Sequence, residues 1–245
     1  MTKPNGVIIY QGPSKLDGQP IVVVAVGIKN NSSNTKTGAM VQTYILRSDI
    51  NPMEAVKSGA DASICGSCTH RGDGTGKDRS CYVTLVHGPR GVFNSFQNGN
   101  YPVATPAEAA ELVAGRMVRL GTYGDPAAVP IYVWQGLLAK SEGHTGYTHQ
   151  WKTIAPQWSA LVMASADTVE EMNAAHAKGY RTFRVSPIGG APMAGLEIMC
   201  PASEEAGRKT TCELCRACMG TSGKAKISIQ IAAHGTGRKH VALAA

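Results

Sequence analysis

The residues best suited to chemistry in this chain are its seven cysteines, which fall into two groups far apart in sequence. Cys212, Cys215 and Cys218 follow C-x2-C-x2-C spacing, and Cys200 stands eleven intervening residues upstream. Zinc ribbons use paired C-x2-C knuckles, whereas three thiols at successive two-residue gaps suit the corners of an iron–sulfur cubane. The expectation here is a [4Fe–4S] cluster closed by four thiolates, serving as a structural element or electron relay. Cys65, Cys68 and Cys81 form the other group, spaced C-x2-C-x12-C, with His70 inside the loop. Three arrangements satisfy these donors. A cubane on three thiolates keeps one iron open for a ligand; His70 closes a Cys3His zinc or cluster site; or all seven cysteines share one site in another partition.

Thiols grouped this tightly argue for metal binding in a reducing compartment rather than for a disulfide framework. No apolar run of leader length opens the sequence, and no stretch approaches the roughly 20 apolar residues that cross a bilayer. The expectation is a cytoplasmic protein without membrane partners. A net charge of +7 favours acidic partners, but the basic residues are scattered. A solvated basic surface explains them, and nucleic acid or a phosphorylated ligand would also suit them.

Holding two distant thiol groups together requires a scaffold with its loops at one end. The chain is 245 residues long and 43% hydrophobic, enough for one large core. We expect a single domain over 1–245, with a β-rich N-terminal extension over 1–40 and a β/α barrel-like unit over 41–245. GVIIYQG, PIVVVAVG and MVQTYILR read as strands separated by turn-forming stretches, in an antiparallel opening. Strands and helices then alternate: ATPAEAAELVAG is a helix capped by Thr105, MVRLGTYGDP a strand, PIYVWQGLLAK a helix and GHTGYTHQW a short strand. ALVMASAD, TVEEMNAAHAKG and YRTFRVS make a βαβ unit with Thr168 as N-cap and Gly179 beyond the helix end. GLEIMC and ISIQIAAHG are two further strands, followed by a short helix around 236–244. Seven strands alternating with helices or cysteine loops predict an α/β fold, a full or partial TIM-like barrel, with an open doubly wound sheet as competitor.

In either fold the C-terminal strand ends carry the chemistry. That places the first cysteine loop, then Gly121, Tyr123, Gly124 and Asp125, then Tyr147, His149, Gln150 and Trp151 at one rim. Ser165, Asp167, Arg184, Ser186, Cys200 and His234 follow. Alternation along GYTHQW puts Tyr147, His149 and Trp151 on one face, with His149 as candidate proton donor. Alternation along YRTFRVS puts Thr182 and Arg184 inside if Phe183 packs outward, and a buried arginine needs an anion, either a ligand's or that of Asp167. Asp125 is a candidate ligand contact, though an Asx turn before Pro126 explains it equally.

A strand, a three-cysteine loop, a helix and a second strand ending in a glycine-rich acidic turn resemble the radical S-adenosylmethionine (SAM) enzymes. ICGSCTHRG…RSCYV, GTYGDPAAVP, GYTHQW and CPASEEAG…CELCRACMG resemble, over nearly the whole chain, a phage and prophage protein family related to the mycobacteriophage product called gene product 88. The first resemblance implies a partial barrel, an open-site [4Fe–4S] cluster on Cys65, Cys68 and Cys81, and SAM as the ligand cleaved reductively. Asp125, His149 and Arg184 would then be catalytic, and Gly121, Tyr123, Gly124, Asp125 and Tyr147 would bind the cofactor. A reductant protein would supply electrons. The C-x2-C-x12-C spacing differs from the C-x3-C-x2-C common in those enzymes, and GTYGD only approximates their Gly-Gly-Glu turn. The phage resemblance implies location in a host cytoplasm. The other reading is a non-catalytic nucleic-acid-binding protein of phage replication, with zinc or clusters stapling its loops.

Overall fold

Valine-rich strands open the chain. In the computed structural model, which describes residues 4–32, 34–235 and 237–243, β1 (Gly6–Pro13), β2 (Pro20–Val26) and β3 (Val41–Arg47) pair antiparallel in that order. Ile21–Ala25 of β2 are fully buried, as expected of an apolar run flanked by strands and covered on both faces. The connection after β3 carries α1 (Pro52–Ser58), α2 (Ala62–Cys65), the first cysteine loop, α3 (Gly88–Gln97) and α4 (Pro106–Leu112). β4 (Met117–Tyr123) then returns parallel to β3, and β5 (Gly143–Thr145) follows α5 (Ile131–Leu138) to complete a mixed five-stranded sheet.

A second five-stranded sheet begins two residues later. β6 (Tyr147–Thr148), β7 (Met163–Ala166) and β8 (Thr182–Ser186) are parallel, with α6 (Val169–Ala177) crossing between β7 and β8. β9 (Glu197–Met199) leads to Cys200, α7 (Cys212–Cys215) carries the second thiol group, and β10 (Ser228–Ala232) inserts between β8 and β9. The sheet order is β6-β7-β8-β10-β9, all parallel. β10 is buried along its whole length, so it takes the inner position, whereas β9 exposes Ile198 and suits the edge.

The α/β class and the antiparallel opening are present, but the described strands do not close a ring; one sheet has its edges at β1 and β5, the other at β6 and β9. The expected single strand GHTGYTHQW is broken at Gly146, where a Cβ would lie 2.9 Å from Val162 Cγ1 and 3.3 Å from Leu120 Cβ. The missing side chain lets the chain pass between these two residues as it changes sheets. Alternation therefore stops at Thr148: His149 has helical dihedrals and Gln150–Lys152 form a 3-10 turn. Trp151 consequently turns into the core, its Nε1 donating to the Ser165 carbonyl at 2.9 Å.

The main core packs the first sheet against α5 and includes Trp134, Trp151 and Trp158; a smaller one joins Met163, Ile229 and Ile231 to the second thiol group. The C-terminal helical run is a 3-10 stretch, Arg238–Leu243, while positions 236 and 244 of the expected helix lie outside the described residues. Among the described residues no helix is long and apolar enough to cross a membrane.

Candidate functional site

The first thiol loop is fixed at both ends. Cys65 ends α2, and Gly66 turns the chain at φ +55°, where a Cβ would fall 2.5 Å from the Gln150 amide. That amide clasps the turn: Gln150 Nε2 donates to the Cys65 carbonyl (3.2 Å), and its Oε1 accepts from Ser67 Oγ (3.1 Å). Arg71 donates to the Gly59 and Gly66 carbonyls and pairs with Asp61 at 2.6 Å. The Cys81 N–H donates to the His70 carbonyl at 3.0 Å and closes the loop.

The GTYGD turn presses against this loop. Gly124 sits at φ +84°, and a Cβ there would lie 2.7 Å from Ile45 Cβ, so the close approach requires glycine. The Asp125 N–H donates to the Ile64 carbonyl at 2.6 Å. Its carboxylate accepts from the backbone N–H of Ala127 and of His149, each at 2.9 Å. Burial raises the Asp125 pKa, and hydrogen bonds from Thr148 and these backbone groups oppose the rise. Asp125 thus acts as a loop clasp, the Asx role that its position before Pro126 suggested.

The second group is pinned by the N-terminal hairpin and by β10. Thr211 caps α7, and the Cys212 N–H donates to the Lys36 carbonyl at 2.9 Å. The Cys200 N–H donates to Gln230 of β10 at 2.8 Å, and the Gly146 N–H donates to Cys218 at 3.3 Å. Arg181 donates to the Ala217 and Gly220 carbonyls.

All seven cysteines line one cavity of about 400 Å³, and none is in a disulfide. Gly121, Tyr123, Gly124, Asp125, Tyr147, His149, Ser165, Cys200 and His234 share its wall, with Phe183, Val185, Ile229 and Ile231 as apolar surface. A larger hollow of about 810 Å³, near Lys15, Tyr132 and Trp158, contains none of the thiols; size alone does not mark the chemistry. Burial pushes Cys65, Cys81, Cys200 and Cys212 above the ordinary thiol range, and Cys218 to about 12. Such thiols stay protonated unless a metal cation displaces the proton.

Lys36, Arg79 and Arg119 also line the cavity. Among the described residues none of the three has a carboxylate within ion-pair distance. Arg119 donates to the Tyr82 hydroxyl, and its Nε is buried without a partner. Sequence reading missed it, although Arg119, Gly121 and Tyr123 alternate along β4, the signal that would have found it. Arg79 and Lys36 lie in loops, where no periodicity marks them.

Arg184 is elsewhere. Phe183 and Val185 face the cavity, so alternation turns Thr182 and Arg184 to the opposite side. There Arg184 forms a bidentate pair with Glu197, at 2.9 and 2.6 Å. Its anion is the Glu197 carboxylate on β9, one strand beyond β10, and neither a ligand nor Asp167. Asp167, at the end of β7, lies between His70 (3.1 Å) and His149 (3.4 Å). Burial opposes ionisation of Asp167, yet the two imidazoles hold its pKa well below the carboxylate range. Burial likewise opposes charging of His149, but Cys68 and Asp167 outweigh it and raise its pKa. No protein-family model, curated protein or solved structure matches the chain.

Proposed function

We propose that this chain is an iron–sulfur protein with radical-SAM-like enzymatic character, holding up to two clusters whose thiol ligands face a common ligand cavity. The observation that carries the reading is the convergence of seven unbridged cysteines, from loops more than a hundred residues apart, on one cavity. A tetrahedral zinc ion with Zn–S bonds of about 2.3 Å holds its sulfurs about 3.8 Å apart. Among the described residues no three thiol sulfurs lie within 4.8 Å of one another. In this reading Cys65, Cys68 and Cys81 hold one cluster, and Cys200, Cys212, Cys215 and Cys218 the other.

Thiolates gathered in a low-dielectric cavity need compensating positive charge, and Lys36, Arg79 and Arg119 supply it from the wall. An iron–sulfur cluster, when bound, supplies single electrons to a ligand beside it. The chain's own contribution is to exclude water with Phe183, Val185 and Ile229 and to orient a polar ligand with Arg119 and Tyr123. His149 stands on the same wall as Cys68, where it would contact a bound ligand. SAM is the ligand suggested by resemblance, but the Asp125 oxygens expected to receive its amino group already accept loop N–H groups.

Protein purified without oxygen should be brown and contain iron and acid-labile sulfide in equal amounts. Cys65→Ser/Cys68→Ser and Cys212→Ser/Cys215→Ser should each remove part of both. Colourless protein with stoichiometric zinc, and DNA affinity that falls steeply with salt, would replace this reading with a nucleic-acid-binding one.

A further inference from the structure

We propose that His70, His149 and Asp167 form a separate mononuclear site for a divalent first-row transition-metal ion bound through nitrogen and oxygen. The inference does not depend on the iron–sulfur reading, because no thiol belongs to the donor set. One ligand atom from each of the three residues lies within 4.8 Å of the others. His70 Nε2 is 3.1 Å from Asp167 Oδ1, and His149 Nε2 is 3.4 Å from Asp167 Oδ2. Ligands about 2.1 Å from a common ion sit about 3.0 Å apart at octahedral angles and about 3.4 Å apart at tetrahedral ones. The two histidine–carboxylate separations, one to each Asp167 oxygen, fall in this range, and the two imidazole ligand nitrogens lie within 4.8 Å of each other.

Their hydrogen bonding distinguishes a metal site from a simple ion-paired triad. His70 Nε2, His149 Nε2 and Asp167 Oδ1 are all buried and lack a hydrogen-bond partner. The contacts among them fall within ion-pair range but are not aligned for N–H···O bonds. Buried polar atoms of native proteins are overwhelmingly satisfied, so three convergent orphans point to a shared, non-protein partner. The two rings meet edge-on, with centroids 5.5 Å apart and planes at 76°.

The surrounding contacts are those that orient metal ligands. His70 Nδ1 is 2.7 Å from Ser80 Oγ, and an N–H donated there leaves the Nε2 lone pair toward Asp167. Thr69 Oγ1 donates to Asp167 Oδ2, and the Asp167 N–H donates to Glu171 Oε2 at 2.9 Å. The His149 N–H is held by Asp125. The three ligands come from a 3-10 turn in the cysteine loop, the turn after β6 and the end of β7. Two imidazoles and one carboxylate suit manganese, iron or zinc and leave coordination positions free. Because His70 and His149 also line the thiol cavity, an ion here would adjoin any ligand bound there.

The test is a Mn²⁺ titration of the full-length protein, purified without oxygen and with its native thiol-bound metal in place, followed by EPR. One Mn²⁺ per chain should bind, and pulsed EPR of wild-type protein labelled with ¹⁵N-histidine should show coupling to imidazole nitrogen. Asp167→Asn and His70→Gln should each weaken binding at least about tenfold while iron and sulfide content stays unchanged. The proposal is overturned if no saturable binding occurs up to millimolar Mn²⁺, or if bound Mn²⁺ shows no ¹⁵N coupling. The wild-type measurements decide this even if a variant fails to fold. Failure of the iron–sulfur reading would instead show as missing sulfide.

Discussion

A buried guanidinium must find an anion, and Arg184 finds Glu197 through two hydrogen bonds on a face away from the cavity. Glu197 is fully buried at its side chain and Arg184 nearly so, so removing either partner strands a charge in a low dielectric. Glu197→Ala should lower unfolding free energy by about 3–5 kcal/mol in denaturant titrations. Arg184→Met combined with Glu197→Leu should recover most of that loss. A similar loss from the double variant would assign the cost to packing instead. The strand period separated two faces correctly but could not tell which one met the cavity, and the assumption that Phe183 packs outward inverted Arg184. The cysteines escaped this ambiguity because their spacing names a chemistry before any fold is known. Asp167 was visible as a strand-end acid, but its partner His70, 97 positions earlier in the numbering, required the fold.

At the scale of elements, α4 shows how completely a local signal can fix a boundary. Thr105 Oγ1 accepts from the Glu108 N–H at 3.3 Å, and a Glu108 oxygen accepts from the Thr105 N–H at 2.8 Å, a reciprocal capping box before Pro106. Thr105→Ala should cost about 1 kcal/mol. The Thr105 backbone N–H and hydroxyl hold the Glu108 carboxyl below its ordinary pKa. Its contribution is therefore present above the unfolded glutamate pKa of about 4.3 and fades as pH falls through the lower folded value. Melting temperatures of wild type and Glu108→Gln should differ at neutral pH and converge in acid; a gap that widens in acid would contradict the capping account. Less was legible elsewhere. α3 contains two glycines and a proline in GPRGVFNSFQ, and burial of Val92 and Phe93 overrides that poor propensity. The Gly146 break is set by close approach to Val162 and Leu120, which no local pattern encodes.

Across the whole molecule, one cavity gathers thiols from two distant parts of the chain. The first group follows β3 of the first sheet, whereas the second lies between β9 and β10 of the other sheet and rests on the β2–β3 connection through Lys36. The chain passes from the first sheet to the second at Gly146, between β5 and β6. A group gripped by thiolates from either loop binds only the folded arrangement, so its affinity adds to folding stability. At a hundredfold excess over its dissociation constant this amounts to about 2.7 kcal/mol. For a chain of this size that corresponds to about 5 to 10 °C in melting temperature. Anaerobic chelation should therefore lower the melting temperature by about that amount and make segments 66–84 and 201–211 the first sites of limited proteolysis. Restoring iron and sulfide should reverse both changes. If chelation removes all metal while the melting curve and cleavage pattern stay as they were, the thiols do not brace the fold, and the convergence of the two loops rests on the chain's own hydrogen bonds, those of Gln150, Asp125, Lys36 and Arg181 among them.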